Sequence, residues 1–294
     1  MEDADIFDLA SLTKPLALVL TYIYFASTQG FDLTQPLKEF IPVSNELAEI
    51  PVYRLFNHTA GLKAWHPFFE KRPLTLEKLI KEALLLPLEY SPGSRSLYSD
   101  LGYFLLTYIF EKHFGLSFYE GFLEMRKELP LSSKAFFDFL PLSKVDEERL
   151  VPTSVCPWEK KILRGVVEDE NTRALGGISG VAGLFANVQA LLDVLEFLVE
   201  LYHQDVGPFS SGIFRKFVNH REECSEFALG FMLYDGNPSM VRHTGFTGTS
   251  FLVDLAKGNI AVLLTNRVHP HRNNLKIKGF RKEFHKLVEE VFFQ

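Results

Sequence analysis

Strand-like patterning in this chain is confined to its last third. Residues 227–234, 240–244, 248–255 and 259–266 read as strands, and Lys257-Gly258 has the composition of a hairpin turn between the last two. Everything before them reads as helix or loop. Short connections between consecutive strands make a sheet antiparallel, and such a sheet must bury one face against another layer. A helical first two thirds followed by antiparallel strands therefore predicts an α+β fold, an antiparallel sheet flanked by helices beside an all-α region.

The helices are read from apolar spacing and their stop signals. Residues 12–29 are apolar around most of the helical circumference and close at Gly30, which predicts a buried helix. Pro15 falls in its first turn, where backbone N–H groups lack partners in any case. Residues 31–50 read as loop and short helix, punctuated by Pro36, Pro42 and Pro51. Further helices are predicted over 52–57, ending at Gly61, over 75–86 with Thr75 as cap, over 99–113 closing at Gly115, and over 117–128, 188–203 and 276–292. Pro92-Gly93 is a turn, residues 130–175 are irregular, and residues 176–183, Gly-Gly-Ile-Ser-Gly-Val-Ala-Gly, are a backbone-turn segment.

Composition narrows the function classes. A chain of 294 residues with 47% apolar residues can bury a sizeable core, and its 28 Phe predict an aromatic one. The net charge of −6, without a run of like charges, argues against a nucleic-acid surface. The apolar run 15–26 is too short for a membrane span. Residues 1–8 carry four acids and no base, unlike a signal peptide, so the chain as written reads as cytoplasmic. Cys156 and Cys224 form no disulfide framework and read as reduced packing residues. Asn57-His58-Thr59 matches a glycosylation tripeptide, a pattern common by chance. There is no H-E-x-x-H, no P-loop lysine after the glycines of 176–183 and no G-x-S-x-G, so no metal, no cofactor and no lipase-type elbow is predicted.

Three short motifs carry the chemistry. Ser11 and Lys14 stand three apart at a helix start and so share a face. A serine hydroxyl becomes a nucleophile when a base takes its proton, and a lysine serves if its pKa is lowered. Free N–H groups at the helix start favour the negative charge of acyl transfer. Tyr98-Ser99-Asp100 lies between the Pro-Gly turn and an apolar helix, so a phenol beside Lys14 can relay a proton and a carboxylate can hold the ammonium. His243-Thr244-Gly245 sits on a predicted strand, where the small residues permit close approach to the backbone.

In this order the motifs resemble the penicillin-recognising serine hydrolases, above all class C β-lactamases and their esterase and peptidase relatives. Phe7-Asp8-Leu9-Ala10, Asn57 to Leu62, Asp169-Glu170-Asn171 with 176–185, and Leu264 to Arg267 also match, so the resemblance runs along nearly the whole chain. It implies a single β-lactamase/transpeptidase-like domain, with a helical region over about 30–200 and an α/β region from 1–29 and about 205–294. It implies Ser11 as nucleophile, Lys14 as general base and Tyr98 sharing proton transfer. Asp100, His243, Thr244 and Gly245 would tune the site or bind substrate, and the N–H groups of Ser11 and Phe246 would form the oxyanion hole. His58 reads as structural.

Three departures refine the expectation. Asp100 stands where the family more often has Asn. His243 stands where the β-lactamases and peptidases have Lys and esterase-like relatives often have His. Only ten residues precede Ser11, which predicts a sheet lacking its N-terminal strands, an exposed edge and self-association; a lost leader would make the protein periplasmic or secreted. The expected function is hydrolysis of small esters through an acyl-enzyme. The alternatives are a D-amino-acid peptidase or weak β-lactamase acting on amides or lactams, and a non-catalytic module that keeps the fold.

Overall fold

The computed structural model describes residues 2–139, 145–234 and 237–292. A first strand, β1 (Phe7–Asp8), leads directly into the region holding Ser11. That region is not one uniform helix. It opens as a 3-10 turn at Ala10–Leu12, widens into a π-helical turn at Lys14–Val19 and becomes the α-helix α1 only over Leu20–Thr28. Pro15 is the second residue of the π turn, where its missing N–H costs no ladder bond. Residues Leu16 to Tyr22 are all fully buried, as a helix apolar on every side must be.

The short α2 (Tyr53–Phe56) follows, then α3 (Leu76–Ala83), whose Thr75 cap accepts the Lys78 N–H. Next come α4 (Asp100–Phe114), closed by left-handed Gly115, and α5 (Phe118–Lys127), opened by a reciprocal Ser117–Glu120 capping box. α2 and α4 meet α1 in an aromatic core in which Tyr22, Phe25, Phe56, Phe110 and Phe114 pack mostly edge-on at 4.8–6.4 Å, while α3 packs on α4. The abundance of Phe is spent here.

The stretch 130–175 is less irregular than its composition predicts. It contains β2 (Phe137–Asp138) and α6 (Glu170–Ala174), and β2 pairs with β3 (Phe185–Ala186), which also pairs with β1. Two-residue strands leave no alternation to detect, so this small sheet, order β1-β3-β2, is invisible in the sequence. It ties the segment preceding Ser11 to the glycine-rich stretch. The long α7 (Val188–His203) and α8 (Ser211–Val218) come next, and α7 packs on β7 of the main sheet as well as on α8.

The main sheet is antiparallel, order β4-β5-β6-β7, with β4 (Met232–Leu233), β5 (Met240–Thr244), β6 (Ser250–Asp254) and β7 (Asn259–Leu263). The β6–β7 turn closes on a Gly258 N–H to Asp254 carbonyl bond of 2.8 Å, with Gly258 at φ +78. Side chains alternate across the sheet. Val241, Phe251 and Val253 enter the main core, while Met240, Leu252 and Ala261 pack with Val288 of α9 (Ile277–Phe292) on the other face. Among the described residues no strand pairs with the outer side of β7. No helix of the described residues is long and apolar enough to cross a membrane.

Candidate active site

The turn that presents Ser11 is strained and heavily braced. Ala10 has φ +48, a conformation costly for any residue with a Cβ. It persists because its neighbours hold it. Asp8, buried, accepts the Ala10 N–H at 2.8 Å and the Glu168 N–H at 2.7 Å with its two oxygens. Thr247 Oγ1 donates to the Asp8 carbonyl at 2.7 Å and Thr249 Oγ1 to the Leu9 carbonyl at 3.1 Å, so the β5–β6 connection grips the turn from the sheet side. Thr13 Oγ1 donates to the Ala10 carbonyl at 2.6 Å and accepts the Leu184 N–H. Burial raises the Asp8 carboxyl to about 7 despite the two N–H groups it accepts.

Lys14 is fully buried, and its ammonium meets three acceptors: Asp100 Oδ1 at 2.7 Å, Ser11 Oγ at 3.2 Å and the Val181 carbonyl at 3.2 Å. An ammonium carries three N–H donors, so three acceptors and no donor define its charged state. Burial alone would lower its proton affinity, but Asp100 and Tyr98 outweigh burial and the net direction is up. The Val181 carbonyl comes from the glycine-rich segment 176–183. That segment is not a phosphate loop; it turns the backbone so that a carbonyl faces the lysine.

Tyr98 and Asp100 arrive through the cap of α4. Ser99 accepts the Gly102 N–H, donates from Oγ to the Lys63 carbonyl at 2.6 Å, and gives its own N–H to His58 Nδ1 at 3.0 Å. Asp100 thus begins α4, where the helix N-terminus favours a carboxylate. The Tyr98 ring lies against Lys14 Nζ, 5.1 Å from ring centroid, and its buried hydroxyl makes no hydrogen bond of normal geometry. Burial raises its pKa, against the pull of Lys14. His58 stacks between Tyr98 and Tyr103, at 4.5 and 5.2 Å, and is a positioning residue for that loop.

The third motif divides its tasks. Thr244, Gly245 and Phe246 line the cleft, whereas His243 is buried behind the Tyr98 ring, centroids 6.0 Å apart. His243 Nδ1 lies 3.1 Å from the Thr244 carbonyl and therefore carries the proton; buried Nε2 has no hydrogen-bond partner among the described residues. Burial and the Lys14 charge push its pKa down to about 3, so the imidazole is neutral at physiological pH. The small size of Gly245 serves packing first. A Cβ there would lie 2.5 Å from the Leu9 carbonyl oxygen, so glycine lets the strand end close against the turn that carries Ser11.

These residues open on a cavity of about 670 Å³, the size of a small-molecule site. Ser11, Tyr98, Asp100, Thr244 and Phe246 line it, with Asp169 on the same wall. Asp169 caps α6 by accepting the Thr172 N–H at 2.6 Å, and burial together with the Asp100 charge raises its carboxyl to about 6. Arg272 bridges Glu168 at 2.5 Å and also Glu170, closing the cleft toward the C-terminal segment. Arg281 of α9 donates to the Gly245 and Thr249 carbonyls at 2.6 and 2.7 Å. Asn171 is fully buried, accepts the Phe69 N–H and donates to the His66 carbonyl, so the Asp169-Glu170-Asn171 motif both borders the cleft and ties down a loop. Asn57 is equally buried and holds Glu222 at 2.7 Å, which removes it as a glycan acceptor in the folded chain. Among the described residues no group of three or more His, Cys, Asp or Glu side chains is placed to hold a metal ion.

An antiparallel sheet backed by helices, with a Ser-x-x-Lys turn at its seam, is the architecture of the penicillin-recognising hydrolases. The family model described as Beta-lactamase matches residues 1–285, and the chain belongs to that family. An N-acetylmuramyl-L-alanine amidase of Bacillus subtilis (strain 168) is 28% identical over 92% of this chain and 69% of its own length. The β-lactamase/D-alanine carboxypeptidase of Pseudomonas syringae superposes with a TM-score of 0.71 over 97% of this chain and 86% of its own, at 18% identity. EstCE1, a hydrolase with promiscuous acyltransferase activity, superposes with a TM-score of 0.69 over 90% and 81%, at 20% identity. The family and these neighbours are hydrolases.

Proposed function

We propose that this chain is a serine hydrolase working through an acyl-enzyme, with small esters as its preferred substrates. The observation that carries the reading is the placement of Lys14 Nζ, 3.2 Å from Ser11 Oγ and 2.7 Å from Asp100, beneath the Ser11 and Asp100 side chains that line a ligand-sized cleft. Ser11 Oγ attacks the carbonyl carbon. Its proton passes to Lys14 as Lys14 hands one to Asp100, so the carboxylate is the final acceptor and the lysine the relay. The oxyanion is held by the N–H groups of Ser11 and Phe246. Tyr98 gives its proton to the leaving alcohol and recovers one from Lys14, which recovers its own from Asp100. Water then repeats the sequence on the acyl-enzyme, and the site returns to its starting protonation.

His243, neutral and buried behind the Tyr98 ring, puts no cation into the cleft to select a carboxylate-bearing ligand, which supports uncharged substrates. One observation favours the second reading, a peptidase or weak β-lactamase. Arg281 lines the cleft, and its hydrogen bonds go to the Gly245 and Thr249 carbonyls, which are uncharged and leave its positive charge for a substrate carboxylate. Turnover of a short-chain aryl ester, a D-alanyl-D-alanine peptide and a cephalosporin in one buffer separates the two. The ester should show the highest kcat/KM; a clear preference for the peptide or lactam would reverse the order.

A further inference from the structure

The cleft has a braced aromatic wall that the proposed chemistry does not use. Trp65 lines the cavity and is 44% exposed. Its ring contacts Phe69, centroids 6.2 Å apart, and Phe69 meets Trp158 edge-on at 5.0 Å. Trp158 is itself 54% exposed. Exposed aromatic side chains scattered singly need no explanation, but a Trp65 that opens on the cleft and is backed by half-buried Phe69 and, beyond it, Trp158 does.

The wall is also held rigid from behind. Buried Asn171 accepts the Phe69 N–H at 2.9 Å and donates to the His66 carbonyl at 2.8 Å, using both ends of its amide on this loop. The Asp100 N–H donates to the Ala64 carbonyl at 2.9 Å, which fixes Trp65 beside the carboxylate that pairs with Lys14. Across the cleft Phe246 is 47% exposed, with the Arg267 guanidinium 4.2 Å over its ring. Phe227, Met232 and Ile277 extend the apolar lining. An open cavity bounded by fixed aromatic faces and reaching the nucleophile binds a flat apolar group better than a polar, solvated one.

We propose that Trp65, backed by Phe69 and Trp158, forms the face of a subsite for a planar apolar group, so that the substrate is an ester carrying an aryl or similarly flat moiety. The proposal deepens the esterase reading and rests on it. The chain has two tryptophans, and both belong to this wall, so intrinsic fluorescence reports on the subsite directly.

The test titrates the Ser11→Ala protein, which cannot form an acyl-enzyme, with intact benzyl acetate, methyl phenylacetate and ethyl acetate. A saturable change in tryptophan emission with either phenyl-bearing ester, absent with ethyl acetate, is the expected result. The ester that responds shows whether the flat group lies in the alcohol or the acyl half. In the wild-type protein Trp65→Ala should lower the ratio of aryl-ester to alkyl-ester kcat/KM by about tenfold. No saturable response to either phenyl ester, or an equal one to ethyl acetate, overturns the subsite. Binding without wild-type turnover would leave the subsite standing and refute the hydrolase reading; turnover without aryl preference would do the reverse.

Discussion

Replacing Asp100 by Asn tests how the serine loses its proton. Two unit charges 2.7 Å apart attract by roughly 6 kcal/mol at an effective dielectric of about 20. The Asp100 side chain is 19% exposed toward the cleft, so water screens part of this, and about half to two thirds should act on Lys14, or about 2–3 pH units. Asp100→Asn removes that stabilisation of the ammonium and also removes the carboxylate that receives the proton. Only neutral Lys14 can then act as base. The acid limb of kcat/KM should therefore move to alkaline pH, and activity at neutral pH should fall about tenfold for each unit below the new limb, recovering as pH rises. The assay is a pH–rate profile of both proteins on one ester. A gain in activity near neutrality would refute the relay, because it would mean that a neutral lysine was the base all along and the ion pair only hindered it. A loss of equal size at every pH would refute it too.

Further expectations follow from the bracing and the buried charges. Gly245→Ala places a methyl against the Leu9 carbonyl and should lower stability by about 1–3 kcal/mol in urea unfolding, with a disproportionate loss of kcat as the Ser11 turn is displaced. Acid should destabilise the fold between about pH 6 and 4.5. Burial holds His243 and His285 at about 3 and 4 and His58 well below its usual value, so the unfolded chain takes up protons there that the folded chain refuses. Asp8 and Asp169, raised to about 7 and 6, run the other way and offset two of these three, leaving about 1.4 kcal/mol lost per pH unit; a urea midpoint that rises on acidification would contradict the assignment. The outer side of β7, unpaired among the described residues, should make sedimentation concentration-dependent, and a monomer at all concentrations would show that this edge is protected.

The sequence disclosed those parts of the fold whose pattern is long. The helix 188–203, the strand 240–244 and the turn at Lys257-Gly258 were readable because periodicity and turn chemistry ran over enough residues to count. The sheet β1-β3-β2 was not, because two-residue strands have no period. Neither was the broken start of the first helix. The 3-10 and π pieces are too short, and the π turn too uniformly apolar, for their different periods to show, and tertiary contacts at Asp8, Thr247 and Thr249 hold the strained form.

The candidate site was legible by type and not by contact. The structure brings Ser11, Lys14, Tyr98 and Asp100 together, but the ammonium's third acceptor is the Val181 carbonyl, and backbone carbonyls leave no mark in a sequence. His243 was expected at the strand edge facing substrate; it lies on the core face of β5 behind Tyr98, where its effect on the cleft passes through that ring. Asp8 could have been found, since of the four acids in residues 1–8 it is the one with two apolar residues on each side, Ile6-Phe7 and Leu9-Ala10, and a carboxylate there calls for buried partners.

The central claim is that Ser11 is a nucleophile. A fluorophosphonate probe followed by peptide mass analysis tests it directly. The account predicts a single phosphonylated serine at position 11, lost in Ser11→Ala. Labelling that survives the substitution would contradict the mechanism, and no labelling of the folded wild-type protein would place the chain among non-catalytic modules that keep the fold.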